Sequence, residues 1–92
     1  MNAADVLRQP VFANGRYKPF SEFTLEEVRA RAAELSAAGR AGPLARVAGV
    51  ARAWGELGRT MAAAGVGTVG ELDPDIAVEL ARRAWVIPRA LL

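Results

Sequence analysis

Residues 44–64 constrain the fold of this chain more than any other segment, because apolar and small side chains recur there every three or four positions. That spacing places them on one face of an α-helix. The face consists of Leu44, Val47, Ala51, Trp54, Gly58 and Met61. Arg52, Glu56 and Arg59 lie on the opposite side, at intervals that allow weak ion pairs. The pattern therefore predicts a long helix whose apolar face lies at the centre of the core.

The composition predicts a single small domain with a lean core. The chain has 92 residues, and much of its 52% hydrophobic content is alanine, which buries little area per residue. A chain of this size has a thin margin of stability, and a second copy can cover an apolar face that the monomer leaves open. We expect one domain over residues 1–92, with a helix and arm in residues 1–23, a helical core in residues 24–92, and assembly into a homo-oligomer.

The absence of histidine and cysteine excludes most catalytic and metal chemistry. The usual zinc, copper and haem ligand sets need these residues, as do the commonest general base and the thiolate nucleophile. Asp73 and Asp75 flank a proline, where helix capping explains both carboxylates. We therefore predict no catalytic residue, no metal site and no cofactor, in a protein that is not an enzyme.

Charge and hydropathy place further limits on the partners. The net charge is +2, yet most arginines lie within about one helical turn of a carboxylate, as on solvated helix faces. No segment reaches about 18 uninterrupted apolar residues, and the first residues do not resemble a secretion signal. We expect a cytoplasmic protein with no membrane partner.

The N-terminal residues combine a short helix with an aromatic segment. Asn2 is a suitable cap for a helix over residues 3–9. Residues 10–23 follow neither a helical nor a strand period, although Asn14-Gly15 is a turn signal. The segment fits either a short hairpin around that turn or an extended arm whose aromatic side chains pack on the core, and we favour the arm. The candidate contact for an anion or a peptide on this arm is the cluster Arg16, Tyr17 and Lys18.

Two long helices are predicted to form a helical hairpin. Thr24 and Glu27 form a capping box that begins the first of them at residue 24. Gly39 is expected to cap its C-terminus, and Glu27 is expected to pair with Arg31 on its exposed side. The short connection that follows returns the second long helix antiparallel to the first.

Small and apolar residues indicate two candidate protein interfaces. Gly55 and Gly58 lie inside the second long helix, where each costs about 1 kcal/mol relative to alanine. A closely crossing helix, from this chain or from a second copy, would compensate for that cost. The apolar C-terminal residues are the second candidate, either folded back on the second long helix or available for docking. They include Trp85, Ile87, Leu91 and Leu92.

A glycine turn, residues 65–68, follows the second long helix and precedes the last helix. Thr68 and Glu71 form another capping box, which predicts a one-turn helix after the turn. Asp73 then caps a final helix whose first residue is Pro74, and Pro88 ends it.

The segment A-G-V-x-T-V-x-E-L, residues 64–72, resembles the tip of helix-hairpin-helix and related SAM-like domains, such as the C-terminal domain of the RNA polymerase alpha subunit. The resemblance is confined to these residues. In those domains a glycine turn presents backbone amides to nucleic-acid phosphate. The resemblance implies that the contacts here are made by Gly65, Val66, Gly67 and Thr68. We expect Arg59, near the end of the second long helix, to assist them.

The sequence as a whole predicts an all-α fold. We expect a small bundle of three main helices with a short N-terminal helix, an irregular aromatic arm and a one-turn helix before the last helix. The predicted function is a non-catalytic protein-interaction module that associates with itself or docks on a larger partner. The alternative is a nucleic-acid-binding protein that uses the glycine turn.

Overall fold

The computed structural model describes residues 2–13, 15–41 and 45–84, and within them the chain is mostly helical. Two single-turn 3-10 helices, at Phe20–Glu22 and Val69–Glu71, precede the second and the last of its four α-helices. The predominance of helix is as predicted, but an all-α fold is wrong, because residues 10–13 and 16–19 form two strands. The elements follow in the order α1 (Ala3–Arg8), β1 (Pro10–Ala13), β2 (Arg16–Pro19), α2 (Leu25–Ala41), α3 (Ala45–Ala64) and α4 (Pro74–Arg83).

β1 and β2 pair as an antiparallel hairpin, so the expected extended arm is wrong and the alternative hairpin is correct. Ala13 lies opposite Arg16, and only residues 14 and 15 connect the strands. Gly15 has a φ of +84°, a left-handed conformation that glycine adopts without strain and that tight hairpin turns require. The local turn signal therefore decides the structure of this segment, although β1 lacks an alternation of polar and apolar residues.

α2 begins at the predicted capping box. The Thr24 amide donates to Oε1 of Glu27 at 3.0 Å, and the Glu27 amide donates to Oγ1 of Thr24 at 3.2 Å. The helix does not end at Gly39 as expected but continues beyond it, since the extensive packing of α2 along α3 offsets the cost of about 1 kcal/mol for an interior glycine. On its exposed side Arg31 pairs with Glu34 at 3.4 Å rather than with Glu27.

α3 confirms the long helix predicted from the apolar pattern. The buried members of its predicted face are Ala51, Trp54, Gly58 and Met61. Leu44 and the side chain of Val47 lie outside the described structure. Trp54 occupies the centre of the core, where its ring meets Phe20 edge-on at 6.0 Å and Phe23 at 5.8 Å between ring centroids.

The core draws on all four helices and on both 3-10 helices. The N-terminal residues contribute Val6, Phe20 and Phe23 to the core, where aromatic side chains of this segment were expected to pack, and all three side chains are buried. α1 packs against α4 and against the first 3-10 helix. The hairpin is therefore anchored by buried residues on both sides of it in the sequence.

The two 3-10 helices pack directly on each other and join the start of α2 to the start of α4. The Val69 amide donates to the Phe23 carbonyl at 3.0 Å. Gly70 lies so close to the first 3-10 helix that a Cβ at this position would be 3.1 Å from the Ser21 carbonyl oxygen. Asp73 caps α4 with its side chain, as predicted.

Two glycines give stability predictions of opposite sign. A Cβ at Gly49 would meet no atom of the described residues within 4 Å, so Gly49→Ala should raise the free energy of unfolding by about 0.5–1 kcal/mol through helix propensity. Gly65, after the end of α3, has a φ of +71°, which is strained for any residue with a Cβ. Gly65→Ala should therefore lower the free energy of unfolding by about 1–2 kcal/mol. Urea unfolding of both variants measures these changes, and two changes of the same sign would contradict the backbone conformations described here.

Candidate functional site

One face of the hairpin exposes a pair of aromatic side chains. Phe12 lies directly opposite Tyr17, and their ring centroids are 5.0 Å apart. Phe12 is 53% exposed and Tyr17 is 73% exposed. Pro10 and Pro19 lie opposite each other two positions along the strands, and therefore on the same face. We call these four residues the aromatic face.

The other face of the hairpin is fixed to α2 by charge. Nζ of Lys18 donates to Oε1 of Glu27 at 2.6 Å, and Nη2 of Arg16 donates to Oε2 of Glu27 at 2.9 Å. The hydrogen bond from Lys18, followed by those from the Thr24 amide and Arg16, lowers the pKa of Glu27 from 4.5 to about 2. A single carboxylate thus joins both cations of β2 to the first turn of α2.

The arm cluster predicted from the sequence is divided between these two faces. Tyr17 lies on the aromatic face, whereas Arg16 and Lys18 are bound to Glu27 on the opposite face. The sequence prediction omitted Phe12, which could have been found by counting equal steps outward from the turn along both strands. The three consecutive residues therefore do not form one continuous contact surface.

Ion pairing around α3 differs from the pairs predicted within that helix. Glu56 accepts two hydrogen bonds from Arg83 of α4, at 2.9 and 3.1 Å, rather than pairing with Arg52 or Arg59. These bonds lower the pKa of Glu56 and raise the pKa of Arg83. The contact between helices is preferred because a bidentate arginine pair has better geometry than neighbours along one helix.

The glycine turn serves as the C-terminal cap of α3. The Gly65 amide donates to the Ala62 carbonyl at 3.2 Å, and the Val66 amide donates to the Met61 carbonyl at 3.1 Å. This is the Schellman arrangement, in which a left-handed glycine satisfies the last carbonyl groups of a helix. Two of the amides that the resemblance assigns to phosphate are thus already hydrogen-bonded within the chain.

The rest of the turn pairs with the start of α2. The Gly67 carbonyl accepts a hydrogen bond from the Leu25 amide at 3.1 Å, and Thr68 forms an isolated β-bridge with Thr24. The Thr68 amide donates to Oε1 of Glu71 at 3.1 Å, as the predicted capping box requires. The glycine turn therefore carries hydrogen bonds that connect elements of the fold, and its contact with nucleic acid stays a prediction.

The two interface glycines have different surroundings. A Cβ at Gly58 would lie 3.5–3.9 Å from side chains of α2, so α2 of the same chain makes the close crossing there. Among the described residues, a Cβ at Gly55 would meet within 4 Å only Nη1 of Arg59 in its own helix, at 3.4 Å. Arg59 therefore reaches back along α3, away from the glycine turn. The remaining interface candidates, which lie outside the described residues, are Trp85, Ile87, Leu91 and Leu92.

Among the described residues, grooves lie on two sides of α3. The groove between α2 and α3, which we call the α2/α3 groove, has a volume of about 420 Å³ and combines small residues with Arg52 and Arg59. The groove between α3 and α4 has a volume of about 330 Å³. It contains Ile76, which is 45% exposed, among the carboxylates of Glu56, Asp75 and Glu79.

The described residues contain neither a metal site nor a helix that could span a membrane. Among the described residues, no three carboxylate, histidine or cysteine side chains lie close enough together to hold a metal ion. No helix in residues 2–13, 15–41 or 45–84 is long and apolar enough to cross a membrane. Comparison of the chain with protein-family models, curated proteins and solved structures finds no significant match, so its surfaces are the guide to its function.

Proposed function

We propose that this chain is a small helical-bundle module without catalytic activity, and that it associates with itself through the aromatic face of its hairpin. The observation that carries the proposal is the exposure of Phe12 and Tyr17. The buried aromatic side chains of the described structure, Phe20, Phe23 and Trp54, are each at most 1% exposed. A protein that encloses these side chains yet leaves two others side by side in solvent has an apolar surface available for a partner.

Aromatic side chains are well suited to the centre of a protein interface. Tyrosine and phenylalanine are enriched there because they bury a large area while losing little conformational entropy. Tyr17 also has a hydroxyl group that can hydrogen-bond at the edge of the contact. A flat apolar face is self-complementary, so a second copy related by a twofold axis can cover it.

The strand edges of the hairpin favour contact through the face rather than through an added strand. Each strand is four residues long, and Pro10 and Pro19 have no amide proton to donate. An incoming strand would therefore find few backbone partners, which is one way in which proteins protect sheet edges. Side-chain packing on the aromatic face supplies the association.

The size of the aromatic face predicts a weak association. An aromatic side chain covers roughly 150–250 Å² when buried, so the exposed parts of Phe12 and Tyr17 together offer on the order of 250 Å². Stable interfaces bury about 800 Å² on each partner. The dimer should therefore form only at high protein concentration, with a dissociation constant on the order of 0.1 mM.

Combined replacement of Phe12→Ser and Tyr17→Ser should abolish this association, because it removes most of the aromatic face and leaves the buried core intact. Sedimentation velocity between about 10 μM and 1 mM protein measures the effect. The mean sedimentation coefficient of the wild-type chain should rise with concentration, and that of the double variant should remain at the monomer value.

Ile76→Ser is the matched control, since Ile76 is also a large exposed apolar residue but lies on α4. The control variant should associate as the wild-type chain does, and far-UV circular dichroism verifies that both variants are folded. A wild-type chain that stays monomeric up to about 1 mM, or an equal loss of association in both variants, would contradict the proposal.

A further inference from the structure

We propose that the α2/α3 groove is a docking site for an acidic helix of a partner protein. This surface is separate from the aromatic face, and its occupation does not depend on self-association. Two arginines of α3, Arg52 and Arg59, lie along it. Its floor consists of small residues from both helices, namely Ala32, Ser36, Ala48, Ala51 and Gly55.

The charge of the groove selects a negatively charged partner. No carboxylate lines it, and neither Arg52 nor Arg59 forms an ion pair with another described residue. Glu56, which lies between them in the sequence, is bound on the α4 side by two hydrogen bonds from Arg83, and Arg59 adds to it a charge interaction without an ion pair or a hydrogen bond. Both guanidinium groups therefore retain the capacity for bidentate pairing with carboxylates.

The floor of the groove has space that the described chain does not fill. Its volume is about 420 Å³, and no floor side chain is larger than that of serine. A Cβ at Gly55 would meet, within 4 Å, only the far end of Arg59, so no crossing helix among the described elements explains the glycine there. Small residues between two helices allow a third helix to approach to about 8 Å between axes.

The spacing of the two arginines defines the chemistry of the partner. Arg52 and Arg59 are seven residues apart on α3, which corresponds to about 10.5 Å along the helix axis. Carboxylates at positions i and i+7 of a second helix have the same separation when that helix lies along the groove. An apolar residue between them would face the floor. The surface therefore fits an acidic amphipathic helix.

The groove suits a peptide better than a nucleic acid. Nucleic-acid binding in physiological salt draws on many phosphate contacts, whereas the groove offers only Arg52 and Arg59. The apolar floor between them adds to the affinity for a helix through buried area but adds nothing to a phosphate contact.

Fluorescence anisotropy with a labelled reference peptide tests the proposal. The probe is an alanine-based helical peptide with glutamate at positions i and i+7 and leucine at position i+3, and the matched probe has glutamine in place of both glutamates. The glutamate peptide should bind the wild-type chain with a dissociation constant on the order of 0.1 mM, and the glutamine peptide should bind at least about tenfold more weakly.

Three variants locate the binding site. Combined replacement of Arg52→Gln and Arg59→Gln should weaken binding of the glutamate peptide at least about tenfold, because it removes both positive charges. Gly55→Leu should weaken it similarly by filling the floor while both arginines remain. Arg82→Gln is the control, since Arg82 is an exposed arginine of α4 outside the groove, and it should leave binding unchanged.

Several results would overturn the proposal. One is that the glutamate peptide does not bind at concentrations up to about 1 mM. Another is that it binds equally well to the wild-type chain and to the groove variants. Tighter, arginine-dependent binding of an oligonucleotide in physiological salt would assign the groove to phosphate instead. A loss of self-association in the double arginine variant would assign it to a second copy of the chain. The Phe12→Ser and Tyr17→Ser variant should bind the peptide normally, which separates this test from that of the aromatic face.

Discussion

Trp54→Ala is expected to lower the free energy of unfolding by about 3–5 kcal/mol. Trp54 is 1% exposed and lies between α3 and the aromatic side chains of Phe20 and Phe23, with ring centroids 6.0 and 5.8 Å away. Its removal leaves a large cavity and also breaks two aromatic contacts. A domain of this length has a total stability of roughly 5–14 kcal/mol, so the variant should lose a large part of its stability.

Urea unfolding followed by far-UV circular dichroism measures this change without relying on tryptophan fluorescence. Ile76→Ala is the matched control, because it truncates a large apolar side chain that is 45% exposed on α4, and it should cost less than about 1 kcal/mol. A loss below about 1.5 kcal/mol for Trp54→Ala would contradict the central position of the indole in the core.

Glu27→Gln is expected to lower the free energy of unfolding by about 1–2 kcal/mol at neutral pH. The Glu27 side chain is only 17% exposed and accepts hydrogen bonds from Lys18, Arg16 and the Thr24 amide. The neutral amide keeps the size of the side chain but loses the charge that holds the hairpin to α2. We place the effect below the full value of the pKa shift because Arg16 is 65% exposed and partly screened by solvent.

The pH dependence of this effect follows from the direction of the pKa shift. Folding lowers the pKa of Glu27 from 4.5 to about 2, so the folded state favours the ionised carboxylate. Its contribution to stability is fully present above the unfolded pKa and is lost as the pH falls from about 5 toward 2. The stability difference between the wild-type chain and Glu27→Gln should therefore shrink over this interval and vanish near its lower end.

Urea unfolding at pH 7, 4 and 2.5 tests this dependence. Glu34→Gln is the matched control, since Glu34 pairs with Arg31 at 3.4 Å on an exposed helix surface, and it should change stability by less than about 0.5 kcal/mol. Equal losses in the two variants, or a loss in Glu27→Gln that persists unchanged at pH 2.5, would show that Glu27 does not connect the hairpin to α2.

The helices and their caps could be predicted because their signals are local. A capping box such as Thr24 with Glu27, or Thr68 with Glu71, involves residues only three apart. The apolar stripe of α3 follows the helical period over its whole length. The C-terminal end of α2 could not be predicted in the same way. The local signal at Gly39 placed it too early, because packing of α2 along α3 decides how far the helix continues.

The hairpin was predicted only as the less favoured alternative, because its polarity is inverted. Its outward side chains, Phe12 and Tyr17, are aromatic, whereas the side chains that face α2, Arg16 and Lys18, are charged. The inner face also carries Val11, which packs against the core. Its charged part is stable because Glu27, which is distant in sequence, binds both cations. Strand prediction from hydropathy assumes that the inner face is apolar. It therefore does not recognise a strand whose inner face is held to the rest of the protein by ion pairs.

The candidate surfaces could be predicted only in part, because they depend on which elements meet. Tyr17 was identified from the sequence, but the aromatic face also needs Phe12 from the opposite strand. Gly58 marked a close helix crossing, and only the fold shows that α2 of the same chain makes it. The sequence analysis assigned Arg59 to a nucleic-acid contact at the glycine turn. In the structure its side chain extends back along α3 into the α2/α3 groove.

Mapping of backbone amide chemical shifts over a dilution series tests the central claim most directly, namely that the aromatic face is the self-association surface. Spectra of the labelled wild-type chain between about 50 μM and 1 mM should show concentration-dependent shifts centred on β1 and β2, and these should disappear in the Phe12→Ser and Tyr17→Ser variant. Spectra that do not change with concentration, or changes centred on α4 or on residues 85–92, would contradict the claim.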